Sequence, residues 1–294
     1  WENLFAEYRH DIVSEASTDG WARRVAAMLA TARDVHMTLE FDGVKLPTLV
    51  RRVKPNFDRD RIAKAIPHLE WKSRNMATGT TVDGIAYVLI GTWSGDAAVE
   101  IRSVHDFLAQ SIEATGIIID VRPNAGGSEM LARSVAGWFV DGLRVYAKHV
   151  LRRGPGPADF APIRERTIEP NEPARRYGGP VAVLTGRYCM SSCEAFLLMM
   201  KQADRATLVG ERSYGSSGNP RATYLPNGVK VFIPSWKALR PDGSCFEGEG
   251  IAPDVVVSSE GGDGVGDDGV LAKAIALIRE TNGKRDRRDD DAKE

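Results

Sequence analysis

Two kinds of hydrophobic spacing divide the chain. In the first 35 residues apolar positions recur at helical intervals, and the reading is two helices. In the second of these Trp21, Val25, Met28, Leu29 and Ala32 share a face, with Ser17, Thr18 or Asp19 placed to cap its start. From Met37 to about Val53 the pattern shortens to strand-like pieces broken by Asp42-Gly43 and Pro47, and a polar helix follows around Asp58 to Ala65. From Ile85 onward strand and helix alternate. Apolar strands at Ile85 to Ile90, Gly116 to Val121, Val181 to Leu184 and Thr207 to Gly210 are separated by helices at Ala98 to Ala114, Ser128 to Val140 and Ser191 to Ala203. This βαβ rhythm predicts an α/β fold with a mostly parallel sheet covered by helices.

Arg144 to Arg152 and Val229 to Ile233 read as added antiparallel strands that extend the sheet, the second preceded by the turn Pro226-Asn227-Gly228. Gly261 to Gly269 reads as a flexible connector. Asp268 is placed to cap a last helix through Glu280, with Leu271, Ile275 and Ile278 on one face, and the charge run from Gly283 to Glu294 as a disordered tail. The expected organisation is therefore an amino-terminal helical and linking region over 1–80, a core over 81–282 and a charged tail over 283–294.

Composition narrows the function classes. With 294 residues and 43% hydrophobic content, the chain can bury one large core, or one core and a small satellite. A formal net charge of −1 gives no sign of a general affinity for nucleic acid or for anionic membranes. The longest apolar runs have strand length, far short of the roughly 20 residues that span a bilayer, so no membrane span is expected. The chain opens on Trp1, which leaves a signal peptide neither visible nor excluded and the compartment open. Cys189, Cys193 and Cys245 lack a CxxC metal spacing, and no structural zinc is expected. A bridge from Cys189 or Cys193 to Cys245 suits an oxidising compartment; small buried hydrophobes are the favoured reading.

Chemistry is expected first at Leu184-Thr185-Gly186-Arg187-Tyr188-Cys189-Met190-Ser191-Ser192-Cys193-Glu194, where an apolar strand stops and a helix begins. The first turn of a helix carries unpaired N–H groups and the positive end of the macrodipole, which can hold an oxyanion formed when Ser191 attacks a carbonyl. Ser-x-x-Glu is equally a capping box, in which Ser191 and Glu194 satisfy each other's backbone donors. A second strand-to-helix turn, Asp120-Val121-Arg122-Pro123-Asn124-Ala125-Gly126-Gly127, has glycines whose amides can approach a ligand closely. Downstream lie the loop from Val209 to Pro220 and the segment Gly243 to Asp254.

Together and in this order, these segments resemble the tail-specific or carboxyl-terminal processing serine peptidases, particularly the branch that includes the tricorn core protease. The resemblance covers about Ile85 to Val257, with Gly250-Ile251-Ala252-Pro253-Asp254 similar to the closing signature. It implies a crotonase-like α/β core, here with an amino-terminal helical cap, and places Ser191 as nucleophile. Gly126 or Gly127 and the Ser192 amide become the oxyanion donors, with Ser192 as the fallback nucleophile. In one subtype a PDZ domain precedes the core and a lysine 25 residues after the nucleophile is the base. Here that position is Ser216, whose hydroxyl is too weakly basic, and the stretch from His36 to Ile85 is too short for a PDZ domain.

The other subtype takes a histidine after an amino-terminal helix, which the resemblance places at His36 in Asp34-Val35-His36-Met37-Thr38. Imidazole is a natural base near neutral pH. Without the resemblance His36 reads as a helix-terminal histidine; His10, His68, His105 and His149 read as structural or solvated. Glu247 falls at the acidic position, with Glu249 the nearest competitor, and Val35 stands where the tricorn branch has a bridging serine. The expectation is a serine peptidase acting on peptide or protein substrates with no metal or organic cofactor. An alternative is a non-catalytic protein of the same core that binds an apolar ligand or peptide, and a third, ranked lower, is an acyl-CoA enzyme. The resemblance leans the compartment toward extracytoplasmic.

Overall fold

The computed structural model describes residues 2–156, 158–172, 176–258 and 268–291, from 285 onward as helical backbone. The chain forms two compact units. The first gathers Trp1–Val53, His149–Ile163 and Ser216–Ala238; the second gathers Lys54–Lys148, Arg164–Gly215 and Leu239–Glu294. Residues 54–80, read from the sequence with the amino-terminal region, thus belong to the second unit.

In the first unit the expected pair of helices spans Glu2–Val13 and Thr18–Ala30. The Ser17 hydroxyl caps the second by accepting the Gly20 N–H at 3.0 Å. Their apolar faces bury Ile12, Ala22, Val25 and Leu29 against Leu39, Leu46, Val229 and Val231 of an antiparallel sheet. That sheet has the order Pro220–Tyr224, Lys230–Pro234, Thr38–Phe41, Val44–Pro47. Asp42 and Gly43, with φ of 50° and 74°, form the tight turn between its last two strands. The strand expected at Val229 to Ile233 therefore does not extend the parallel sheet. Lys230 interrupts the apolar run there, and of the five residues only Val229 and Val231 are buried, the pattern of a half-solvated antiparallel sheet and not of a parallel one buried on both faces. Arg144–Leu151 also lies outside the parallel sheet, in a separate one beside Arg164–Ile168.

The second unit is a mixed α/β assembly around a seven-stranded, mostly parallel sheet. Its order is Val255–Val256, Ala206–Gly210, Val181–Thr185, Gly116–Asp120, Ile85–Ile90, Met76–Thr80, Glu70–Trp71; the first five strands run parallel and the last two join antiparallel. Ile85–Ile90, Gly116–Asp120 and Val181–Thr185 are buried at every residue, which is why each reads as an unbroken apolar run. Ala98–Gln110, Glu129–Ala136 and Ser192–Met200 are the connecting helices. Asp268 caps the last helix, accepting the Leu271 N–H at 3.0 Å. That helix runs over Gly269–Asp291, past the expected end at Glu280. The Glu280–Lys284 pair, one turn apart, straddles Gly283 and helps carry the helix over it. The connector expected from Gly261 lies, up to residue 267, outside the described residues.

A buried ionic cluster ties the last helix to the sheet. Arg122 reaches both Asp120 oxygens through Nε at 3.0 and 3.1 Å and Asp268 at 2.9 Å, and Tyr87 donates to Asp120 at 2.9 Å. Burial alone would push the guanidinium toward losing its proton; Asp120, and then Asp268, more than reverse this and hold it charged. Arg122→Met is expected to cost about 3–5 kcal/mol in urea unfolding, because two carboxylates would stay buried without their counter-charge.

Candidate active site

The strand Val181–Thr185 delivers the chain to Ser191, and the helix Ser192–Met200, buried at all its residues, departs directly from it. Ser191 has φ 57° and ψ −126°, a conformation costing a non-glycine residue on the order of 1–3 kcal/mol and held only where its surroundings enforce it. Ser191 and Glu194 face each other as the expected capping box, yet only the Glu194 half is a well-formed side-chain bond. Ser191 N–H donates to Glu194 Oε2 at 3.2 Å, while the Ser191 hydroxyl makes no cap hydrogen bond. Cap and candidate nucleophile therefore coexist in one residue.

The diglycine turn lies against this junction. Gly126 and Gly127 have φ of 101° and 136°. A Cβ on Gly126 would stand 2.8 Å from Ser191 Cβ and 3.1 Å from Ser192 N, and one on Gly127 would stand 2.2 Å from the Trp93 carbonyl carbon. Only glycine fits at either position. Gly126 N–H donates to Asn124 Oδ1 at 2.8 Å, and Asn124, fully buried, anchors itself on the Ile90 carbonyl at 3.0 Å. The Ser192 hydroxyl donates to the Gly127 carbonyl at 2.6 Å. Among the described residues no hydrogen bond takes the Gly127 or the Ser192 N–H. Of the two glycine amides, that of Gly126 is thus committed to Asn124, and that of Gly127 is not.

His36 belongs to the first unit, 8% exposed, on the turn after the helix Thr18–Ala30. Its backbone N–H donates to Asp34 Oδ1 at 2.8 Å, a local turn that fixes the ring's origin. Its Nδ1 lies 2.9 Å from Ser216 Oγ, 3.3 Å from the Gly218 N–H and 3.5 Å from Asp34 Oδ1. The Gly218 N–H is a donor only and calls for a lone pair on Nδ1, the Asp34 carboxylate calls for a proton there, and the Ser216 hydroxyl serves either tautomer. Burial alone would raise the Asp34 carboxyl; hydrogen bonds from the His36 ring and amide outweigh it and hold it below the ordinary carboxylate value. Asp34 therefore stays ionised at neutral and mildly acidic pH, and its support is lost only as pH falls through that lowered value.

Neither Asp34 nor Ser216 has a role in the sequence reading. Asp-x-His at an Asx turn is the signal that could have found Asp34; Ser216 is 180 residues from His36 and has no local signal. Glu247 stands exposed on a loop of the second unit, and Glu249 pairs with Arg240 at 2.9 Å. His105 accepts the Trp138 indole N–H at 2.8 Å and His149 packs on Trp236, both structural settings. Cys189 and Cys193 are buried thiols that both face the Val121 carbonyl, and neither they nor Cys245 forms a disulfide among the described residues. Among the described residues no cluster of His, Cys, Asp and Glu could hold a metal ion, and no helix is long and apolar enough to cross a membrane.

In the first unit an apolar cavity of about 510 Å³, lined by Leu29, Met37, Phe160, Ile233 and Trp236, borders the loop that holds His36. Pro234, on its wall, packs against Gly218. A cavity of about 540 Å³ in the second unit, between Pro180, Asp204 and Asn282, sits at the amino ends of its strands, whereas Ser191 follows the carboxyl end of one.

Residues 84–257 match Peptidase family S41. Over 226 residues, 76% of its length, the chain is 25% identical to the carboxy-terminal processing protease CtpB of Bacillus subtilis and covers 45% of that protein. It is 28% identical to carboxyl-terminal-processing peptidase 3, chloroplastic, of Arabidopsis thaliana, with 72% of this chain and 37% of that one covered. The chain therefore spans less than half the length of these curated relatives. A peptidase structure from Parabacteroides merdae superposes with a TM-score of 0.79 at 25% identity, covering 95% of this chain and 88% of that one.

Proposed function

Because the chain belongs to peptidase family S41, we propose that it is a serine peptidase that hydrolyses peptide bonds through an acyl-enzyme on Ser191, with His36 as general base. The observation that carries this reading is the strained turn at Ser191, packed against a diglycine whose Gly127 amide, with that of Ser192, takes part in no hydrogen bond among the described residues. In the proposed reaction His36 Nε2 takes the Ser191 proton as Oγ adds to the peptide carbonyl, and the oxyanion rests on the Gly127 and Ser192 N–H groups. The imidazolium then gives its proton to the leaving amine, and water, activated by the same imidazole, hydrolyses the acyl-enzyme. Loss of one such oxyanion donor typically costs on the order of 3 kcal/mol in the barrier.

Asp34 and Ser216 support the imidazolium from the Nδ1 side. Glu247 is retained as the acid that the resemblance implies, in the orienting role, with Val35 at the position of the bridging serine. The relatives' names speak of carboxyl-terminal processing, and the apolar cavity beside the His36 loop suits an apolar side chain of a peptide substrate. We read the second unit as a crotonase-like core and the helical pair as its cap. The test is covalent. A fluorophosphonate probe is expected to label the protein stoichiometrically, with the adduct mapped by peptide mass to Ser191; an unlabelled protein overturns the proposal.

A further inference from the structure

We propose that Glu194 is a positioning residue that sets Ser191 and, through the segment Ser213–Gly215, the approach of the chain to the hydroxyl that orients His36. This inference rests on the reading of Ser191 and His36 as nucleophile and base. A capping glutamate at a helix start ordinarily sits in solvent and accepts one amide. Glu194 is 0% exposed and accepts at least three donors: Ser191 N–H at 3.2 Å, Ser213 Oγ–H at 2.6 Å and Gly215 N–H at 2.6 Å. The first alone would complete the cap. The other two, both shorter, point to a second task.

The segment that Glu194 grips is fixed from its other side as well. Ser213 Oγ accepts the Ile251 N–H at 2.6 Å, and the Gly215 carbonyl accepts the Gly248 N–H at 2.8 Å. Gly215 has φ 85°, and a Cβ there would stand 2.5 Å from Gly250 N. One peptide unit beyond Gly215 comes Ser216, 3% exposed, whose hydroxyl meets His36 Nδ1 at 2.9 Å. A single carboxylate thus binds the strained amide of the nucleophile and, one residue short of Ser216, the backbone leading to the partner of the base. Charge-assisted bonds of this kind are short and directional, so they transmit position as well as stability.

Glu194→Gln tests the proposal without changing size. If its carbonyl keeps Ser213 and Gly215, its NH₂ meets the Ser191 N–H, donor against donor. The reporter is the rate constant for fluorophosphonate labelling of Ser191, measured well below the melting temperature of each variant. Glu194→Gln is expected to slow labelling about 10- to 100-fold, and Ser213→Ala about 3- to 10-fold. Ser216→Ala should slow it too, and the Glu194→Gln/Ser216→Ala pair should fall short of the product of the single effects, since both act on one path. A role in stability alone would lower the melting temperature and leave the labelling rates unchanged. Wild-type labelling rates in Glu194→Gln, or single effects that multiply, overturn the proposal. If Glu194→Gln does not fold, a wild-type rate in Ser213→Ala overturns it instead. Failure of the wild-type protein to label would strike the nucleophile reading itself, a distinct result.

Discussion

Ser191→Ala is expected to lower kcat/KM by about a millionfold and to leave stability within about 0.5 kcal/mol of the wild type. The two halves of this expectation have separate physical origins. Activity falls because the adjacent hydroxyl, that of Ser192, is already donated to the Gly127 carbonyl at 2.6 Å. Stability holds because the serine hydroxyl makes no cap hydrogen bond, and Glu194 grips the backbone N–H, which alanine retains. Alanine also has the same Cβ at φ 57°, so the strain is unchanged. The measurement is peptide hydrolysis beside urea unfolding. Turnover above about one per cent of wild type would assign the nucleophile elsewhere.

His36→Ala is expected to cost nearly as much activity, about 10⁴- to 10⁶-fold, and the Ser191→Ala/His36→Ala double variant to be little worse than either single one. Residues that act as one chemical device show this strong non-additivity, whereas independent contributions would multiply. Stability should now fall, by about 1–3 kcal/mol, since the shortened side chain leaves the buried Ser216 hydroxyl and the half-buried Asp34 carboxylate without the ring they face. A double variant a thousandfold worse than the singles would separate the two residues chemically.

Much of the parallel core was legible in the sequence because its physics is local. Strands buried on both faces must be apolar at every position, and Ile117, Ile118 and Ile119 or Val181, Ala182 and Val183 announce that directly. Met76–Thr80 is buried at all but its last residue, yet its small residues and Gly79 give no such run, and Pro220–Tyr224 is exposed throughout and shows no alternation. The turn at Ser191 and the diglycine turn were legible for the same local reason, each lying where a strand turns into a helix. The setting of His36 was not. Its partner Ser216 arrives only through the pairing of Thr38–Phe41 with Lys230–Pro234, which no nearby residue encodes. Glu194 was visible as a cap, and two further donors, 19 and 21 residues away, were not.

The discontinuous make-up of the first unit bears on any attempt to trim this protein. Thr38–Phe41 is an interior strand of a sheet whose outer hairpin, Pro220–Tyr224 with Lys230–Pro234, is supplied far downstream. An expression fragment cut back to residues 84–257 would strand that hairpin, baring Val229 and Val231 as a sticky edge, and would lack His36. Such a fragment should aggregate and be inert, so a minimal active piece is expected to need the residues that precede 84 as well.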